Sequence, residues 1–360
     1  LAGTPRFAGS EAEAAARGYC AEQLAGAGFE VTAEEFSFSS FPAQFGPFLI
    51  GLFFALMTVA LAKLSVTGSP GAALVIAVAG AVFCGVAGRV LLRWGLTLPV
   101  MTRRSSNLVA VRNHQASPKL WLVAHLDSKS QTIRMLVRVG SVVASGILFG
   151  LFIVTLVLRV SRLPIAMGIP DGFLQLQSVI AALLTAVALL PVIFCFITNR
   201  SRGALDNATG VAAVIAAARS MSESVNAGIV ITSGEELALA GARAFAASHP
   251  AKGIAINCDT VDDVGKFICM VTGRQRKAAE AVARAASGVG EPARVRGMIM
   301  GILADNVAFS DAGWDSCTLS RGNLGTLARV HTSGDTPEKL DGTGIARAAR
   351  ILVATIEELS

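Results

Sequence analysis

The chain has 360 residues, 53% of them apolar and only 16% charged, with a formal net charge of +6. That length holds one large or two ordinary domains, and the composition lies outside the average for a water-soluble domain, so a large share is expected in lipid. No basic-aromatic run or nucleic-acid module accompanies the positive balance, which sets nucleic acid aside as a partner and leaves membrane-flanking charge as its reading.

The six cysteines include no CxxC pair, so buried free thiols in a reducing compartment are expected, not a disulfide framework or a thiolate zinc site. No basic stretch followed by an apolar run opens the sequence at Leu1, and no signal peptide is expected there. In chain order, Ser10 is placed to cap a helix, glycines end it, and the alternating run FEVTAEEFSF reads as a strand. Two long apolar stretches come next, Phe48 to Ala62 with a lead-in from Phe41, and Gly71 to Leu92; Val139 to Leu158 and Ser178 to Ile197 follow later. Each approaches the roughly 20 residues that cross a bilayer core. The connections KLSVTGSP and RVSRLPIAMGIPDGF make them two helical hairpins. Four such segments weigh against buried helices of a soluble core, and none carries a charge at its middle, as a transport pathway would.

Arg89, Arg93, Arg103, Arg104, Lys129, Arg134, Arg138, Arg200 and Arg202 stand on the side shared with the rest of the chain, against Lys63, Arg159 and Arg162 in the hairpin loops. The positive-inside rule then predicts an integral protein of the plasma membrane with its polar domain in the cytoplasm. Without the hairpins, 41–97 and 134–198, the pieces 1–40, 98–133 and 199–360 read as one discontinuous α/β domain. Strand-like runs NLVAVR, KLWLVAHLD, AGIVITSG, KGIAINCD and KFICMVTG are separated by alanine-rich stretches such as ATGVAAVIAAARSM and QRKAAEAVARAASG. This pattern predicts a parallel or mixed sheet with helices on both faces.

Open α/β sheets bind ligands at the carboxyl ends of their strands, and metal-type residues recur there. His125 ends an apolar strand with Asp127 two residues on, a step that lets the second residue orient the first. His114 and His249, by contrast, lie in polar or proline-flanked turns and read as solvated. Asp206 stands in the turn GALDNATG, as a helix cap or as a buried carboxylate that needs a cation. Glu235 and Glu236 follow a buried strand side by side, where like charges repel unless a metal or proton intervenes; a solvated helix start is the alternative. Asp259 in INCDTVDD and His331 in RVHTSGDTPEKLD complete the set.

The ordered motifs LAGTPRFAGS, VAHLDS, GALDNATGVAA, SGEELALAGARAF, INCDTV, AFSDAGW and VHTSGDTPEKLD resemble the dinuclear zinc aminopeptidases of metallopeptidase family 28. That family also contains glutamate carboxypeptidases, glutaminyl cyclases and non-catalytic relatives such as the transferrin receptor. The resemblance covers nearly all of the soluble portion and none of the hairpins. It implies a zinc-peptidase-like fold and a metallo-exopeptidase acting on peptides with free amino termini. It also implies two zinc ions, with Asp206 bridging both, His125 and Asp259 completing one, and Glu236 and His331 completing the other. Glu235 would be the general base, Asp127 and Asp335 would orient their neighbours, and the Asp206–Asn207 peptide would be cis. Leu205 departs from the acidic residue that many members carry, without removing a ligand. The second hairpin separates His125 from Asp206, which sets the expectation of an active site opening toward the membrane surface. A non-catalytic receptor or scaffold relative and a cyclase-like acyltransferase are the alternatives, and the oligomeric state stays open.

Overall fold

The computed structural model describes residues 1–112, 117–162, 167–250, 252–299 and 301–360. His114 and the middle of the RVSRLPIAMGIPDGF connection lie outside the described residues. The chain divides into two compact units: Leu1–Ser40 with Pro99–Gln131 and Ile197–Ser360, and Phe41–Leu98 with Thr132–Phe196.

The first unit is built on strands β1 (Glu30–Ser39), β2 (Thr102–Val111), β3 (Leu120–His125), β4 (Ser130–Gln131), β5 (Ile197–Thr198), β6 (Ala227–Thr232), β7 (Ile254–Val261), β8 (Lys266–Val271), β9 (Ala293–Gly297) and β10 (Asp315–Gly322). Eight form one mixed sheet in the order β1-β2-β6-β3-β7-β10-β8-β9, while β4 and β5 pair separately. The central neighbours β6, β3, β7 and β10 run parallel, so their carboxyl ends share one edge.

Side-chain alternation decides what each face covers. Leu120, Leu122, Ile229, Ile231 and Ile256 pack on one side against Val211, Val214, Val282, Ile351 and Leu352 of the helices Thr209–Ser220, Lys277–Gly288 and Thr343–Leu359. Trp121, Val123 and Val230 pack on the other against Phe245, Phe309 and Trp314, with the Trp121 and Phe245 rings edge to face at 5.0 Å. Each large apolar side chain fully buried in this way stabilises the fold by about 1.5–3 kcal/mol. The helix Glu11–Ala25 begins where Ser10 Oγ accepts from the Glu13 amide, and ends at Gly26. Strands β9 and β10 escape the apolar-run criterion for physical reasons. β9 is an exposed edge, and β10 alternates Cys317 and Leu319 with buried Ser316 and Thr318, whose hydroxyls are satisfied by Asn306.

The second unit holds four helices long and apolar enough to cross a membrane: Phe41–Thr67, Pro70–Thr97, Met135–Ser161 and Asp171–Ile193. Leu61, Ala77, Phe152, Leu156 and Ala181 form its core. The fourth helix begins at Asp171, well before the expected Ser178. Its first turns look like loop by composition, but Asp171 accepts twice from Arg159, at 2.9 and 3.0 Å, and Gln175 donates to the Val66 carbonyl at 3.2 Å. No disulfide joins the six cysteines.

Candidate metal centre

Each strand that ends at the shared edge delivers its polar residues through a different turn. β3 ends in His125, which is fully buried. Its Nδ1 lies 3.1 Å from the Asp127 carbonyl oxygen, which leaves Nε2 facing inward. The Asp127 carboxylate is 3.6 Å from Nδ1, and its two oxygens accept from the Glu235 and Glu236 amides at 3.1 and 3.2 Å. Asp127 therefore meets the ring mainly through its main chain; its carboxylate clamps the turn that carries the two glutamates.

That turn leaves β6 through Gly234 and forms a short 3-10 helix, Glu235–Leu237, followed by Ala238 and Leu239 at φ 74° and 63°. Both glutamates are buried, so this is not a solvated helix start. Thr260, next to Asp259 on β7, and His331 also have positive φ, 55° and 60°. Non-glycine residues adopt that conformation only where surrounding structure imposes it, at about 1–3 kcal/mol each.

Asp206 is placed by a turn opened by Gly203 at φ 57°, and the Asp206–Asn207 peptide is cis. Asp335, buried at its post, accepts from the Leu205 and Asp206 amides at 2.7 and 3.2 Å. Asn207 ties the turn to β7, donating to the Cys258 carbonyl at 2.9 Å and accepting from the Thr260 amide at 3.1 Å.

These turns bring His125, Asp206, Glu235, Glu236, Asp259 and His331 together. His125 Nε2 lies 3.1 Å from Asp206 Oδ1 and 3.6 Å from Asp259 Oδ1. His331 Nε2 lies 2.9 Å from Asp206 Oδ2 and 3.2 Å from Glu236 Oε1. The two oxygens of one carboxylate thus face two different histidines. Donor atoms of His125, Asp206 and Asp259 all lie within 4.8 Å of one another, and so do those of Asp206, Glu236 and His331. Glu235 stands outside both triads, with Oε2 at 4.0 Å from His125 Nε2.

Burial opposes charge on every member, and the neighbours decide which groups keep it. Burial, with Glu236 and Asp259 close by, pushes the Glu235 carboxyl well above its usual range. Burial also raises Asp259. Asp206 resists burial through its contacts to His125 and His331, which hold it below the usual carboxylate range. Glu236 does so through His331 and Lys129. Burial alone would lower His125, but Glu235 and its contacts to Asp127, Asp206 and Asp259 hold it well above an ordinary histidine.

The donor set suits a divalent cation. Four buried carboxylates, Asp206, Glu235, Glu236 and Asp259, converge, and Lys129 meets them at 2.6 Å from Glu236 Oε2. Glu236 Oε1 and His331 Nδ1 have no hydrogen-bond partner among the described residues. Imidazole and carboxylate are ordinary zinc donors, and cations offset such a concentration of buried negative charge.

Lys129 and Asp305 were not singled out as site residues from sequence. From sequence Lys129 reads as flanking charge, although it lies two residues beyond Asp127. Asp305, fully buried, accepts from the Thr232 hydroxyl at the end of β6, and burial pushes its carboxyl up to about 7. Its signal was an acid inside LADN just before AFSDAGW. His249 is away from the centre and is not simply solvated; its ring stacks on Phe245 at 4.0 Å.

No curated protein matches the chain. Among solved structures it is similar to the aminopeptidase from Aneurinibacillus sp. strain AM-1, at 15% identity, covering 99% of this chain and 90% of that one with a TM-score of 0.57. A zinc aminopeptidase from Bacillus subtilis gives 14%, 99%, 91% and 0.56, and a glutaminyl cyclase from Fimbriiglobus ruber gives 14%, 98%, 90% and 0.54. These likenesses show a shared fold. The model of peptidase family M28 matches residues 187–356, a stretch that includes Asp206, Glu235, Glu236, Asp259 and His331. Residues 187–356 thus match the peptidase family M28 model on a fold that the chain shares with solved aminopeptidases.

Proposed function

We propose that the chain is an integral membrane aminopeptidase that releases residues from the free amino termini of peptides with the help of two zinc ions. The observation that carries this reading is the shared carboxylate, Asp206, with one oxygen 3.1 Å from His125 and the other 2.9 Å from His331. His125 and Asp259 would hold one ion and Glu236 and His331 the other, with Asp206 between them. Ions bound there supply Lewis acidity, acidifying water and polarising a scissile carbonyl.

Glu235, buried but outside both triads, is free of the ligand role and takes the proton of the attacking water, returning it to the leaving amine. Asp127 and Asp335 keep the two turns in place through the amides of Glu235, Glu236, Leu205 and Asp206. The four apolar helices of the second unit support a bilayer as the second partner beside the peptide. The lysine and arginine count supports a plasma-membrane location with the first unit in the cytoplasm.

Purified full-length protein assayed on a peptide library, with free and acetylated amino termini and with or without a chelator, tests the proposal. Chelator-sensitive release of single residues from free termini alone is expected. Equal cleavage of blocked peptides would remove the aminopeptidase reading, and cyclisation of amino-terminal glutamine without hydrolysis would replace it with acyl transfer.

A further inference from the structure

The opening residues of the chain contribute a side chain that no ligand or base assignment uses. Arg6 has no exposed surface and is the largest fully buried side chain. Its guanidinium donates to four backbone carbonyls: Nε to Leu126 at 2.8 Å, Nη1 to Leu1 at 2.9 Å and to Arg202 at 2.7 Å, and Nη2 to Gly203 at 2.9 Å. Its main chain is tied to the first of these loops as well. The Arg6 amide donates to Ser128 Oγ at 2.9 Å, and the Ser128 amide donates to the Arg6 carbonyl at 2.9 Å.

The acceptors sit in meaningful places. Leu126 follows His125 directly, while Arg202 and Gly203 open the turn that presents Asp206. His125 and Asp206 stand 81 positions apart in the chain, and residues of the second unit fill much of that interval. The two loops also meet where Ser128 Oγ donates to the Ser201 carbonyl at 3.2 Å and where β4 pairs with β5. Arg6 is placed between them, and burial of its charge is partly offset by the carboxylates of Asp127, Asp335 and Asp206. There is little slack around it. A Cβ on Gly203 would lie 2.4 Å from Ser128 Cβ and 3.1 Å from Arg6 Nη2.

We infer that Arg6 is a positioning residue that locks the loop after His125 to the loop before Asp206, and so sets the spacing of the two halves of the metal centre. A planar fork of donors reaches several carbonyls in fixed directions, which an ammonium on a flexible stem does not. The consequence for metal affinity rests on the proposed function, but the locking of the loops does not.

The test compares Arg6→Ala and Arg6→Lys with the unaltered full-length protein, in its metal-free form, by amide hydrogen exchange. Both variants are expected to exchange at least about tenfold faster in 126–130 and in 201–206, with β3, β6 and β7 still protected. Guanidinium ion added to Arg6→Ala restores protection in both loops; added to Arg6→Lys it does not. Zinc binding by both variants, titrated against a competing chelator, weakens by about 10–100-fold, the usual effect of losing an outer partner of a metal ligand. Unchanged exchange in either loop would overturn the inference. So would faster exchange throughout the sheet in Arg6→Lys, since that marks a general packing role. If the unaltered protein binds no zinc, the proposed function fails while the exchange result still decides the role of Arg6.

Discussion

The two units bury polar side chains in opposite ways. In the second, several buried hydroxyls return to the backbone of their own helix: Thr58 donates to Ala55, Ser65 to Ala62, Thr155 to Leu151 and Thr185 to Ala181. Such a group is satisfied locally and asks nothing of a ligand. Ser141 and Arg159 depart from this pattern: Ser141 donates to the Ala188 carbonyl of another helix, and Arg159 is matched by Asp171 and the Ser65 carbonyl. In the first unit, buried carboxylates and histidines from distant parts of the chain face one another, and satisfying the backbone still leaves negative charge in excess. A buried polar group therefore points to chemistry when its partners are other ionisable side chains drawn from several strands. One that bonds its own helix does not.

Four substitutions sharpen or break that contrast. Glu235→Gln removes the proposed proton acceptor, which belongs to neither triad; turnover of a peptide substrate is expected to fall by roughly 10²–10⁴, with bound zinc unchanged by mass spectrometry. Asp127→Asn leaves one fewer acceptor for the Glu235 and Glu236 amides, and zinc affinity measured by chelator competition should weaken by about 10–100-fold. Gly203→Ala forces a side chain into the φ 57° turn against Ser128 and the Asp206 carbonyl. Its unfolding midpoint in denaturant should drop by an amount equivalent to about 1–3 kcal/mol. Thr185→Ala in the second unit should move stability by about 1 kcal/mol or less and leave zinc binding untouched. Loss of metal in that last variant would erase the distinction between the units.

Much of the fold was legible because its strands are apolar runs or alternating patterns bounded by turn residues. The predicted mixed sheet with helices on both faces matches the observed architecture, and four helices long and apolar enough to span a membrane are present. Strand β10 was not legible, since Ser316 and Thr318 are buried by a side-chain network with Asn306 that periodicity does not register. The start of the Asp171 helix was hidden for a related reason, its polar residues being matched by Arg159 and the Val66 carbonyl from other helices. At the centre, residue types and their positions after strands suggested the members, while their convergence required tertiary structure. The way Asp127 and Asp335 hold backbone amides, and the placement of Lys129 against Glu236, depend on contacts between segments that no local pattern encodes.

In the proposed centre one carboxylate, Asp206, organises two cation sites, and zinc per chain measures this. The full-length protein and its Asp206→Ala variant would be equilibrated in buffered zinc, freed of excess, and analysed for zinc per folded chain. Two ions are expected on the unaltered protein and close to none on the variant. An unaltered protein that holds no zinc or one ion, or a folded variant that keeps both, would contradict that arrangement.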